Sequence, residues 1–140
     1  MYIDKNLVVS GTRSTAAVWT GQVIQDTELS DYSIDLDATK NLSKGKQLYF
    51  VVIIDTAFAA ATVNFQVVTA ANAALTTTLT VQMETGAIPY ASLTAGRAPI
   101  VIPIGSALGT EQRYLGLKYT LVGGGAETGA VIAFVAFDIP

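Results

Sequence analysis

Along this chain, apolar side chains either alternate with polar ones or run together for seven or eight residues; no stretch sustains the three- and four-residue spacing of an amphipathic helix. Alternation is clearest where Val63, Phe65 and Val67 interleave with Asn64, Gln66 and Val68. It recurs where Leu115, Leu117, Tyr119 and Leu121 interleave with Gly116, Lys118 and Thr120. Successive side chains of a strand point to opposite faces, so both segments read as strands with one apolar and one wet or interfacial face. Further strands are predicted near Ala16 to Ile24, Ser33 to Leu36, Leu48 to Ile54, Thr77 to Glu84, Ala98 to Ile104 and Ala130 to Asp138. The runs Leu48 to Ile54 and Ala130 to Phe137 lack a polar face, so both sides of those strands should be covered, by a second sheet or by another subunit. About eight antiparallel strands suit an all-β, two-sheet jelly roll, in a single domain over residues 1–140.

The chain breakers refine this picture. Pro99 and Pro103 bracket an apolar segment and place it at a sheet edge or against a loop, because proline has no N–H for the ladder. Ala57 to Ala61 and Ala70 to Ala74 have helix-forming composition, but the flanking Thr and Val argue against long helices. Ile88 to Leu93, between Gly86 and Gly96, is predicted as one short helical turn in a long loop. Gly123-Gly-Gly125 reads as a flexible hairpin tip. The stretch 1–14, polar after Val9, is predicted as an N-terminal arm that orders only on a partner.

Composition adds a hint about association. The 140 residues are 51% hydrophobic but only 14% charged, against the roughly 25% charged content of an ordinary globular domain. A surface so poor in charge is expected to be partly covered by other molecules, because soluble monomers rarely expose large apolar patches. The formal charge of -3, with no basic cluster beyond Lys40, Lys44 and Lys46, disfavours nucleic acid as a partner. With no cysteine there is neither disulfide nor thiolate metal site. The opening residues lack the basic and then apolar layout of a signal peptide and the apolar runs are too short to span a bilayer, so no membrane association is expected.

Little in the chain points to catalysis. Without histidine, the Ser-His-Asp and Cys-His arrangements and histidine metal sites are ruled out. No phosphate-binding loop or dinucleotide fingerprint is present. Asp26, Glu28, Asp31, Asp35 and Asp37 form an acidic stretch that would suit a hard cation such as calcium. Their spacing does not match the twelve-residue calcium loop, which favours turn-forming residues on a solvated surface. Asp55 and Glu84 are the acids most closely tied to strands, yet nothing in the sequence brings them together as a hydrolytic pair. Trp19, Tyr32, Tyr49, Tyr90, Tyr114 and Tyr119 could line a sugar-binding face. Packing in the core or an interface is favoured, since Tyr49 and Tyr119 sit within apolar runs. Arg97 and Arg113 are interface candidates, because arginine's planar donor fork is enriched there; exposed loop positions are the equal alternative. No catalytic, cofactor-binding or metal-ligating residue is assigned, and a non-enzymatic protein is expected.

Taken in order, several segments form a recognisable whole. They are Met1-Tyr-Ile-Asp-Lys-Asn-Leu-Val8, Ser33-Ile-Asp-Leu36, Leu48 to Ile54, Ile88-Pro-Tyr-Ala91 leading to Gly96, Pro103, Arg113-Tyr-Leu-Gly-Leu117, and Gly129 to Asp138. Over nearly its whole length the chain resembles the jelly-roll cement, or decoration, proteins of certain tailed-phage capsids, typified by that of a Bordetella phage. The resemblance implies a homo-oligomer, a dimer with a trimer as the alternative, seated on the capsid exterior across junctions of the major capsid protein. It also implies synthesis in the host cytoplasm and a place in the virion. Candidates for the capsid or oligomer interface are Tyr2, Ile3 and Leu7 in the arm, with Trp19, Arg97 and Arg113 outside it. A jelly-roll carbohydrate-binding or receptor-binding module is the alternative function.

Overall fold

The computed structural model describes residues 5–37, 47–104, 112–123 and 129–137. In chain order the elements are a 3-10 turn (Lys5–Leu7), β1 (Val8–Ser10), β2 (Thr12–Arg13), β3 (Trp19–Thr20), β4 (Gln22–Ile24), β5 (Glu28–Leu29) and β6 (Ile34–Asp35). They continue with β7 (Leu48–Thr56), β8 (Thr62–Ala70), β9 (Thr80–Pro89), a second 3-10 turn (Tyr90–Ser92), β10 (Ile100–Ile104), β11 (Tyr114–Val122) and β12 (Gly129–Ala136). Among the described residues there is no α-helix.

One sheet runs β1-β12-β7-β10, and β4 follows β1 along the same side of β12. The other runs β5-β11-β8-β9, with β6 and β5 sharing one side of β11. The strands β2 and β3 pair only with each other, and every pairing is antiparallel. Setting the β2–β3 hairpin aside and counting β1 with β4, and β5 with β6, as one strand each leaves eight among the described residues, ordered 1-8-3-6 in one sheet and 2-7-4-5 in the other, which is the strand order of a jelly roll.

The period-two pattern explains the core. Val63, Phe65 and Val67 of β8 and Leu115, Leu117 and Tyr119 of β11 all turn inward and are buried. They meet Phe50, Val52 and Ile54 of β7, Val131, Ala133 and Val135 of β12, and Ile100, Ile102 and Ile104 of β10. Phe65 and Tyr119 pack edge to face, with ring centroids 5.8 Å apart. The Tyr119 hydroxyl is fully buried and lies 2.5 Å from the buried Ser10 Oγ, so a hydrogen bond joins the two sheets through their interior. Burial holds this phenol above its ordinary pKa, because the charged form has no water to solvate it. Pro103 lies in β10, the edge strand, as the ladder rule requires.

Four expectations differ from what is found. The arm predicted over 1–14 is from Val8 onward part of the body: β1 pairs with β12, and Val8, Val9 and Ser10 are all buried. Two valines and a serine were too short a run to announce a strand, but in the sheet they fill the place beside β12 that β4 leaves open. The strand predicted near Ala16 to Ile24 is shortened and broken: Ala17, at positive φ, lies in the turn between β2 and β3, and Gly21 separates β3 from β4. Gly123 is not the start of a hairpin tip, since β11 and β12 belong to different sheets; Gly124 and Gly125 lie outside the described residues. The strand predicted from Thr77 begins at Thr80 and runs on to Pro89. The preceding loop folds back so that the Leu75 side chain sits where a Cβ at Gly116 would be.

Candidate interaction surfaces

The two sheets turn unlike faces outward. In the first, β7, β10 and β12 carry apolar residues on both sides, so the outward positions form a second cluster. Val8, Val51, Ile132 and Phe134 are buried there, with Trp19, Ile53 and Ala136 packed against them. The registers Val101↔Val51 and Pro103↔Tyr49 put Val101, Pro103 and Tyr49 on this same face. Part of it is roofed by the β2–β3 hairpin. Gly11 makes the approach possible: its φ is 90°, and an added Cβ would lie 2.8 Å from the Thr20 carbonyl oxygen and 3.4 Å from Ile132 Cγ1. Carboxylates hold the hairpin at both ends. Asp31 accepts from the Gly11 N–H, and Asp55 Oδ2 accepts from the Gly21 N–H at 3.0 Å. Partial burial raises the Asp31 pKa, against the lowering effect of that hydrogen bond.

The second sheet presents polar groups that satisfy one another. Glu84 Oε2 accepts from Asn64 Nδ2 at 2.8 Å and from Gln66 Nε2 at 2.9 Å, while Thr120 Oγ1 donates to Gln66 Oε1 at 2.8 Å. The two amide donors hold the Glu84 carboxyl below its usual range. At one end of this face, Val68, Ala70 and Leu75 make a small satellite core with Leu29, Leu79 and Tyr114.

The Bbp16 family model matches residues 18–135. The chain belongs to the Bbp16 family. The match takes in β3 through β11 and all but the last residue of β12, and leaves β1 and β2 outside it. The family's name points to a protein of a Bordetella phage. No curated protein matches the chain.

In this Bbp16 family member, the interface candidates read from the sequence are not brought together. Leu7 packs against the main core and Trp19 against the outer cluster of the first sheet. Arg113 clamps Asp35 through two bonds of 2.7 Å, from Nε and Nη2, and its guanidinium lies 5.2 Å from the Tyr114 ring centroid. The pair ties β6 to β11. Arg97 donates to the backbone carbonyls of Ser92 and Ala98, closing its own loop. Tyr2 and Ile3 lie outside the described residues.

The acidic stretch is likewise spent locally. Asp26 accepts from the Thr27 N–H, Glu28 from the Gln25 N–H, and Asp35 from Arg113 and the Asp37 N–H. No three metal-ligating side chains converge among the described residues. Sequence reasoning missed Gln22. Its buried amide donates to the Leu29 carbonyl at 2.8 Å and accepts from the Asp31 N–H at 3.0 Å, fixing the turn between β4 and β5. A lone glutamine in a segment that reads as a strand carries no signal of such a role.

Proposed function

We propose that this protein is a capsid decoration protein, which binds the outside of a tailed-phage head and stabilises the expanded shell. The observation that carries the reading is the outer face of the first sheet in a chain of phage family. A sandwich needs only one apolar face per sheet, yet β7, β10 and β12 are apolar on both. On that outer face Tyr49, Ile53, Val101 and Ala136 are half-exposed and Pro103 is exposed. Such a patch suits burial against a second copy and against the major capsid protein. A homo-oligomer, taken as a dimer, would grip several shell subunits at once, and multivalency turns modest contacts into long residence. Binding only the expanded shell would stabilise that state by mass action.

Co-sedimentation with expanded, undecorated capsids tests the reading. Stoichiometric pelleting is expected, and Val101→Lys, which places a charge on the half-exposed patch, should abolish it while leaving the fold intact. Absence of pelleting by the unaltered protein with its cognate shell would overturn the proposal.

A further inference from the structure

Between the β2–β3 hairpin, the first 3-10 turn and residues 32–33 lies a pocket of about 420 Å³, within the range of roughly 300–1,000 Å³ typical of small-molecule sites. Its walls include Asn6, Thr12, Arg13, Trp19, Tyr32 and Ser33. We propose that this pocket binds a carboxylated monosaccharide, the two aromatic rings meeting its C–H faces and Arg13 its carboxylate. The inference does not rest on the capsid reading.

The walls are firmly set. The hairpin is held at Gly11 and Gly21 by the two carboxylates described above, and its own turn is closed by the bonds Ser14 N–H to Val18 O at 2.9 Å and Ala17 N–H to Ser14 O at 3.0 Å. Opposite, the Tyr32 N–H donates to the Val9 carbonyl at 2.8 Å and Ser33 Oγ to the Ala73 carbonyl at 2.8 Å. A preset cavity loses little entropy when it is filled.

The side chains select the ligand class. Arg13 and Trp19 are directly paired across the hairpin and so project from the same face. Arg97 and Arg113 both bond through their guanidinium groups to other residues of the chain. Arg13 is exposed and makes no side-chain hydrogen bond or ion pair among the described residues. A free planar fork at a pocket wall is matched by a carboxylate. Trp19 is half-buried and Tyr32 is 51% exposed, so part of each ring remains open to a ligand. Val8 is the one aliphatic side chain in the lining. An anchoring side chain from a protein partner would want an apolar floor. A sugar ring, apolar on its C–H faces and polar around its edge, fits aromatic walls interrupted by Asn6, Thr12 and Ser33.

Trp19 is the chain's sole tryptophan, so intrinsic fluorescence reports on this pocket. The full-length protein is titrated with glucuronic acid, N-acetylneuraminic acid, glucose and a short acetylated peptide containing aspartate. Saturable emission changes are expected with both acids, with glucose weaker by about tenfold or more, the loss of one charged hydrogen-bonded pair. Arg13→Gln should bring the acids down to the affinity of glucose without changing thermal unfolding. Tyr32→Ala should weaken all three sugars and retain the reporter. Emission unchanged by either acid at roughly 50 mM, well above the millimolar dissociation constant expected of so small a ligand, would overturn the proposal. So would acid binding indifferent to Arg13→Gln, or peptide binding as tight as that of the acids.

Discussion

The outward faces of the two sheets differ in how they meet water. On the first, Val51, Ile132 and Phe134 point away from the inter-sheet core and are nevertheless buried, under cover that includes the β2–β3 hairpin. On the second, Asn64, Gln66, Glu84 and Thr120 stay near solvent and bond to one another. The difference shows that a jelly roll of this size need not have a single core. Where a strand is apolar on both sides, the chain supplies a further layer; where it alternates, a polar ladder completes the surface without one.

The sharpest way to break the comparison is Phe134→Ala. Phe134 belongs to the outer cluster, but its near-complete burial predicts the loss of a core residue, about 3–5 kcal/mol. Urea unfolding measures it; a loss below about 1 kcal/mol would mean that the outer layer is mere decoration of the fold.

Next in size is Tyr119→Phe, which cuts the bond between the sheets and strands the buried Ser10 hydroxyl, at about 1–3 kcal/mol. It carries a pH signature. The unfolded phenol ionises near pH 10 while the folded one stays protonated, so the parent protein loses stability as the pH rises past about 10. Below that pH both states hold the proton and Tyr119 adds no slope. The variant should lack this component of alkaline destabilisation in denaturant titrations at pH 9 to 11.

On the second sheet, Gln66→Ala removes the middle of the polar ladder and should cost no more than about 0.5 kcal/mol, because water replaces the lost partners. A cost approaching that of Phe134→Ala would erase the contrast between the faces. Smallest of all should be Arg113→Ala. The clamp on Asp35 is solvent-exposed, so the change in thermal unfolding should be near the limit of detection and vanish in high salt.

Much of this architecture was legible in the chain. Alternation located β8 and β11 to within a residue or two and named their inward side chains, because a buried face tolerates no slip of register. The unbroken apolar runs marked β7 and β12 as covered on both sides. Pro99 and Pro103 marked the edge strand. The short strands β1, β2 and β5 were not legible, since two or three residues have too few positions to show a period.

The candidate surfaces were less legible than the fold. The sequence singled out Arg97 and Arg113 as interface candidates, with exposed loop positions as the equal alternative, and in the structure both guanidinium groups bond to their own chain. Arg13, left unmarked, is the one that stands at a pocket beside Trp19. Residue type alone ranks these three arginines equally.

By itself, then, the sequence determined that the chain is all-β, which faces are buried and that histidine and thiol chemistry are absent. These follow from local periodicity and composition, which every folded form of the chain must honour. Only the tertiary structure decided that Ser10 meets Tyr119, that the hairpin of residues 12–20 lies over Ile132, and that Arg13 rather than Arg113 keeps an open guanidinium. Each depends on residues distant in sequence becoming neighbours, and that proximity is set by how the sheets close on one another.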